Sequence, residues 1–576
     1  MEAFERFIFE LERIVWNFPE TIFGQDSLPL LVMVILGFGI FITIRLGLIQ
    51  IFQFKEAFKV LSGKYDDPDD KGDINHFQAL STALSATVGV GNIAGVALAI
   101  HIGGPGALFW MWVTALFGMA VKYTECTLGA HYRSENEDGT VSGGPMYYIE
   151  RGLGANWKWL AVLFAISGSI CALLTGNAIQ ANTLADVMNS EFNIPLYVTG
   201  LITATLVAAV ILGGIKRIGA VTARLVPLMA ILYVLGGLII LLLNFDQIIP
   251  GFATIITNAF RPEAGVLGVG SGAFILTLSY GVQRGLFSNE AGQGSSPIAM
   301  AATKTKEPVH AGLVGLIGPF IDTLVVCTIT GLVIVVTGAW DSYHKGTVNP
   351  SEGNISYTIE INDTEIDPLD QNVLVFENGL PVNGQMLRFG IPVDTMFVDE
   401  NYSIPFNGEI QLLSVQTDLD ELSPEALELA FRSSGAVVTD EDGSVLDRLY
   451  GGVVENVASL TAVAFSIGLS PLLPGGQYLV TIAVFFFVIS TSISWSYYGE
   501  RSIHYLLGQK SVFSYRMVFV LFHFLGAIVS VSVVWSFGDV MLGIMALTNI
   551  IGLIVLSKII YNITQKYRKE QKENQA

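Results

Sequence analysis

Apolar stretches of bilayer-spanning length recur along this chain, near residues 28–50, 74–100, 106–131, 158–185, 195–213, 224–243, 268–300, 308–338, 476–500, 513–536 and 538–560. A hydrocarbon core takes about 20 apolar residues of helix to cross. Inside it, every backbone polar group needs an internal partner, so a run of this kind folds as a helix. The pattern predicts an all-α polytopic membrane protein of about eleven transmembrane helices. Composition agrees: 52% of the 576 residues are hydrophobic and 14% charged, against about 25% charged in soluble domains.

The net charge of −20 is out of place in such a protein. It argues against nucleic acid as a partner, since phosphate backbones call for a basic surface. Residues 341–455 hold 22 acidic and 4 basic residues, so that stretch alone carries −18 and the rest of the chain −2. The chain therefore divides into 1–27, an N-terminal amphipathic segment; 28–340, a first membrane part with helices one to eight; 341–455, an acidic extracytoplasmic insert; 456–563, a second membrane part with helices nine to eleven; and 564–576, a cytoplasmic tail. Cys126, Cys171 and Cys327 sit in apolar runs and suggest no disulfide or zinc framework. Glu2, Glu5 and Glu10 follow Met1 where a signal peptide would be basic, so none is expected.

Basic loop residues set orientation. With the N-terminus outside, the inner loops carry Lys55, Lys59, Lys64, Lys71, Arg133, Arg151, Lys216, Arg217, Arg224, Lys304, Lys306, Arg501, Lys510 and Arg516, and the tail adds Lys558, Lys566, Arg568, Lys569 and Lys572; the short outer loops hold only Arg261, beside Arg6 and Arg13 in the N-terminal segment. This predicts a multi-pass protein of the plasma (inner) membrane with a cytoplasmic C-terminus, and it places the insert outside the cytoplasm. Phe4, Phe7, Ile8, Leu11 and Val15 share one helical face and suggest an interfacial helix or a lead-in to the first span.

Two spans are interrupted by glycine and small polar residues. One reads Leu84-Ser85-Ala86-Thr87-Val88-Gly89-Val90-Gly91-Asn92-Ile93-Ala94-Gly95; the other runs from Gly281 through Arg284-Gly285-Leu286-Phe287-Ser288-Asn289-Glu290 to Gly292 and Gly294. Glycine permits an unwound turn, and an unwound turn at membrane depth belongs where backbone lines a cavity. If the first helix is set aside, the breaks open two blocks of five helices. Five is odd, so the blocks have opposite orientation: one extra helix plus a 5+5 inverted repeat, the plan of the sodium-coupled leucine-transporter fold. The alternative for either run is a small-residue packing surface between ordinary helices.

The stretch Asn75 to Gly95, the stretch Arg284-Gly285-Leu286-Phe287-Ser288-Asn289-Glu290-Ala291-Gly292 and the stretch Ser494-Trp495-Ser496-Tyr497-Tyr498-Gly499-Glu500 resemble the alanine or glycine:cation symporter family (sodium:alanine symporters). The resemblance covers roughly 70–340 and 456–560. It implies a transporter, not an enzyme, that imports small neutral amino acids with sodium or protons. The insert departs from the family pattern.

Half-helix ends suit a zwitterion, with N–H groups for a carboxylate and carbonyls for a cation. Candidate substrate residues are Thr87, Gly89, Gly91 and Asn92 at the first break and Gly285, Phe287 and Ser288 at the second. Asn177 joins them as an amide at membrane depth, and Trp495 as a cavity wall. Analogy with the fold puts a sodium ion between the carbonyls of Ser85 and Val88 and the hydroxyls of Thr491, Ser492 and Ser494. Sodium is the coupling ion; no other cofactor is expected. Partners are a small neutral amino acid, sodium and the bilayer. Among charged residues in spans, Lys122 and Glu125 read as a pair and Arg284 with Glu290 as a gate or brace. Asp322 is open between holding a cation or proton and tying helix ends.

The insert reads as a small β-rich domain. Extended runs fall at 355–361 and 372–376, turns at Asn378-Gly379 and Asn383-Gly384, and one short helix at 424–434. Its acids match no calcium-loop spacing. Asn354, Asn362 and Asn401 begin glycosylation patterns that have meaning only in a secreted, glycosylating context. Rival functions are an ion or solute channel, a proton-coupled amino-acid transporter and a membrane enzyme. The insert has a single histidine, His344, and no cysteine, which offers little to an enzyme.

Overall fold

The computed structural model describes residues 11, 14–16, 30–67, 69–137, 139–260, 271–341, 344–348, 355–360, 373–382, 385–388, 391–392, 395–399, 402–417, 428–440, 443–446, 448–453, 457–529 and 532–573. Most of the amphipathic N-terminal face, the turn at Asn383-Gly384 and Asn354, Asn362 and Asn401 lie outside these residues.

Among the described residues, seven helices are long and apolar enough to cross a membrane: Ala107–His131, Ala155–Asn189, Gly214–Leu243, Pro308–Val336, Gln477–Leu507, Ser511–Ile528 and Ser536–Glu573. An eighth span is the bent pair His76–Thr87 and Gly91–Gly103. Leu30–Arg45 and Leu196–Ile211 are apolar helices of 16 residues each, and the run near 268–300 folds as two helices, Ser271–Asn289 and Ser296–Ala301. Ala155–Asn189 and Pro308–Val336 each contain a π-helical segment, Leu174–Ala178 and Phe320–Cys327.

Leu201, Leu228, Ile231, Leu242 and Ile249 are more than half exposed, while Lys122, Glu125, Asn92 and Asp322 are buried. Apolar outside with paired polar groups inside is the arrangement a lipid solvent selects. The chain is a polytopic membrane protein. Cys126, Cys171 and Cys327 are buried free thiols.

Ser134–Glu135 and Val141–Ser142 form a two-stranded antiparallel hairpin, and the other described strands fall between 344 and 453. Glu428–Asp440 pairs antiparallel with Gly408–Thr417 on one side and with Ile355–Glu360 on the other. The order outward is Leu380–Pro381, Val373–Glu377, Gly408–Thr417, Glu428–Asp440, Ile355–Glu360, Gln385–Arg388 and Ile391–Pro392, with Val445–Leu446 also on Glu428–Asp440. Asn378 and Gly379 have positive φ, 52° and 80°, as the hairpin turn requires. The helix expected at 424–434 is corrected: its described part, from Glu428, is strand. Alanine, leucine and glutamate there favour helix locally, but ladder bonds on both edges make this a central strand.

The helices that carry the interrupted regions are labelled as follows: α1 (His76–Thr87), α2 (Val96–Gly103), α3 (Ala107–His131), α4 (Ser271–Asn289), α5 (Ser296–Ala301), α6 (Gln477–Leu507) and α7 (Ser511–Ile528). A capping box starts α1. Asn75 Oδ1 accepts from Gln78 N at 2.8 Å, and Asn75 N donates to Gln78 Oε1 at 3.1 Å. The entry to α1 is zipped to the exit of α5: Asp73 N donates to Ala302 O at 2.8 Å and Lys304 N to Ile74 O at 2.8 Å. The two interrupted spans thus share one anchored end.

Candidate functional site

Helix α1 ends where Val88 turns extended, at φ −74° and ψ 91°. A π-helical turn, Gly91–Gly95, then leads into α2, and the axes differ by 54°. In a continuous helix Gly89 N would donate to Ser85 O. Here it donates to Asn92 Oδ1 at 2.9 Å, and Ser85 O accepts from Thr491 Oγ1 at 3.2 Å instead. Ser85 Oγ donates to Ser490 O at 2.6 Å. A β-carbon on Gly89 would stand 2.7 Å from Thr491 Oγ1, so this approach of α6 needs glycine. The structure therefore brings Ser85 and Thr491 into contact beside Val88. Ser492 Oγ and Ser494 Oγ are buried without hydrogen-bond partners among the described residues.

Asn92 is fully buried. Its Nδ2 donates to Asp322 Oδ1 at 2.6 Å and lies 3.1 Å from Ser288 Oγ and 3.3 Å from Cys327 Sγ. Ser288 Oγ donates to Asp322 Oδ2 at 2.6 Å, and Thr323 Oγ1 reaches the same oxygen at 2.8 Å. One buried carboxylate thus joins the first break, the end of α4 and the π-helical segment Phe320–Cys327. Of the roles open to Asp322, tying helix ends is the one these bonds describe. Asn92, expected as a substrate ligand, has its amide engaged by protein on both sides.

The second interruption lies later than expected. Gly285, Phe287 and Ser288 are helical, within α4. The chain unwinds between Glu290 and Ser295, with positive φ at Glu290 (54°), Gly292 (84°) and Gly294 (82°). Asn289 Oδ1 accepts from Ala291 N at 2.9 Å, and Ser295 Oγ donates to Glu290 Oε2. Gly281 and Gly285 serve packing instead. A β-carbon at Gly281 would lie 2.5 Å from Ala107 O, and one at Gly285 would lie 3.0 Å from Thr114 Cβ, both on α3. Gly281→Ala is expected to cost about 1–3 kcal/mol through overpacking, read as a lower unfolding temperature of the purified protein. Phe287 stacks on Trp16 at 5.4 Å, and Arg284 lies over the Phe287 ring at 5.3 Å instead of pairing with Glu290. Lys122 and Glu125 do pair, at 3.6 Å.

Thr87, Lys122, Asn289 and Ser296 line a void of about 10 Å³ between the two interruptions, room for about one water. An amino acid enters this region only if the elements around it separate.

Asn177 is held by the scaffold. Its Nδ2 donates to Phe519 O at 2.8 Å, and its Oδ1 lies 2.7 Å from Nδ1 of His523, both on α7. Neighbouring Gly176 lies under Trp495: a β-carbon there would fall 2.3 Å from Trp495 Cγ. Trp495 is buried, edge-on to Tyr498 at 5.4 Å. Sequence reasoning missed His523 and the Asp322 cluster's extent. The π-helical segments that aim Asn177 and Asp322 have no local sequence signal.

A polytopic helical body whose buried polar groups gather on interrupted helices has the architecture of a membrane transport protein. A sequence model of the sodium:alanine symporter family matches residues 10–366 and 445–576, and the chain belongs to that family. Relatives include a sodium/alanine symporter, AgcS, of Methanococcus maripaludis, 39% identical over 551 residues and covering 95% of this chain and 96% of the relative. An amino-acid carrier protein, AlsT, of Bacillus subtilis is 30% identical over 542 residues, covering 94% and 90%. A probable sodium/glutamine symporter, GlnT, of the same organism is 28% identical, covering 94% and 88%.

Proposed function

We propose that this protein is a sodium-coupled secondary transporter that imports small neutral amino acids, alanine or glycine, by alternating access. The observation that carries the reading is the first break, where a carbonyl released by α1, Ser85 O, faces a hydroxyl of α6, Thr491. Sodium is a hard ion that takes oxygen ligands. Ser85 and Val88 carbonyls with Thr491, Ser492 and Ser494 form its proposed site. The name of the Methanococcus maripaludis relative, sodium/alanine symporter, supports the same ion and substrate class.

The substrate is placed against the unwound backbone at Gly89 and Gly91 with Thr87 alongside, under Trp495, and on the other side against the turn 290–295 that follows Gly285, Phe287 and Ser288. Asn92 and Asn177 hold the walls. Eleven spans, one extra plus a 5+5 inverted repeat, place the N-terminus and a β-rich 341–455 domain outside and the C-terminus in the cytoplasm. The two family-matched segments leave 367–444 between them, which supports an inserted unit.

A proton-coupled second reading draws on Glu125, Glu290 and Asp322, three buried carboxylates with Lys122 as a buried cation near them. Ligand-induced stabilisation separates the two. A ligand at 100 times its Kd adds about 2.7 kcal/mol. Alanine is expected to raise the unfolding temperature of the purified protein in sodium and not in choline at fixed pH. Equal shifts in both salts count against sodium.

A further inference from the structure

The end of α3, the strand Ser134–Glu135, Arg151 of the helix Pro145–Leu153 and the segment 305–308 surround a cavity of about 380 Å³, enough for roughly a dozen waters. Arg133, Arg151, Lys306, Glu135, Ser134 and Thr305 face it.

Two of its charges are already matched. Glu135 pairs with Lys71 at 2.6 Å. Lys306 pairs with Asp70 at 2.8 Å and Asp67 at 2.9 Å, and hydrogen bonds to both hold its ammonium above its ordinary range. The arginines are different. Arg133 donates to the carbonyls of Ala301 (3.2 Å), Thr303 (2.7 Å), Lys71 (3.0 Å) and Thr305 (2.6 Å). Arg151 donates to the carbonyls of Tyr132 (3.2 Å) and Arg133 (3.1 Å) and lies over the Tyr147 ring at 5.5 Å. Carbonyls aim a guanidinium without neutralising it. Among the described residues, neither arginine makes an ion pair. Arg133 spends both Nη groups on carbonyls and feels the carboxylates of Asp70, Glu135 and Asp73, so it adds positive charge and no fork. The carbonyl bonds of Arg151 use Nη1 alone, which leaves its Nε–Nη2 edge as the fork a ligand would meet.

We propose that this cavity binds a phosphate-class anion, and that the headgroup of an anionic phospholipid is its source. A planar guanidinium fork matches phosphate oxygens, and basic pockets at the ends of spans are the form headgroup sites take. The cavity's level in the bilayer supports the lipid source. Trp157 and Trp159 stack at 6.4 Å at the start of the following span, Trp159 is 60% exposed, and tryptophans of this kind mark the headgroup layer. Free inorganic phosphate carries the same chemistry. The site does not depend on the transport reading, because its test involves no transport.

The test is native mass spectrometry of the full chain in detergent, with phosphatidylglycerol and phosphatidylcholine of identical acyl chains. Wild type is expected to retain phosphatidylglycerol preferentially. Arg151→Gln should lower that retention about tenfold, the scale of one charged hydrogen bond. Arg151→Lys, which keeps the charge and loses the fork, should fall between and stands in if the glutamine variant does not fold. Lys569→Gln, which removes an exposed charge in the C-terminal helix, should match wild type. Stabilisation by inorganic phosphate that is lost in Arg151→Gln, without lipid preference, would keep the anion site and assign it to soluble phosphate. If neither phosphatidylglycerol nor phosphate distinguishes wild type from Arg151→Gln and Arg151→Lys, the site does not exist.

Discussion

Replacing Asn92 with alanine is expected to lower the unfolding temperature sharply and to abolish uptake, not merely to weaken substrate binding. The side chain makes two kinds of bond that nothing nearby can replace. Its oxygen accepts from Gly89 N, the donor that the break releases from α1. A buried N–H left without a partner costs about 1–3 kcal/mol. Its nitrogen donates to Asp322 Oδ1, and a bond to a charged group is worth about 1.5–3 kcal/mol. Together these are about 2.5–6 kcal/mol, a large share of the about 5–15 kcal/mol that stabilises a typical protein. Thermal unfolding of the purified variant beside its alanine uptake checks this. A variant as stable as wild type, with only a weaker substrate affinity, would mean that Asn92 is a direct ligand and that its bonds to Asp322 carry little energy.

Thr491→Val is the second large effect. Valine matches threonine in shape and removes one oxygen. Ser85 O then loses its donor, and the proposed ion site loses a ligand. The sodium concentration for half-maximal uptake is expected to rise about tenfold or more, on the scale of one charged interaction. Alanine affinity at saturating sodium should change little. Thr491→Ser keeps the hydroxyl and should stay near wild type. Uptake measured across a sodium series in the three proteins checks this, and unchanged sodium dependence in the valine variant would remove Thr491 from the site.

The first break was readable because Gly89 and Gly91 stand two residues apart in an otherwise apolar run, with Thr87 and Asn92 beside them. Local composition alone identifies a weak point in that helix. The second was displaced because glycine carries two meanings that a sequence does not separate. Gly281 and Gly285 let α4 approach α3, whereas Gly292 and Gly294 adopt positive φ. Only the neighbours tell which is which. Asp322 was visible as an anomaly, a carboxylate in a span, but its partners Asn92 and Ser288 are 230 and 34 residues away. A π-helical segment turns it towards them. Residues 428–434, expected as helix, are strand because their helix-favouring side chains are overruled by pairing on both edges. Apolar length, by contrast, is a property of each segment alone, and it carried the polytopic reading directly.

Coupling of a small amino acid to sodium through the first break is the central claim. The direct measurement is uptake of radiolabelled alanine and glycine into proteoliposomes that contain the purified chain. Sodium outside is compared with potassium outside, and with an inward proton gradient imposed in the absence of sodium. Accumulation above equilibrium that requires the sodium gradient and collapses when an ionophore dissipates it is the predicted result. Folded protein that accumulates neither amino acid under a sodium gradient, or that accumulates them equally well on a proton gradient alone, contradicts it.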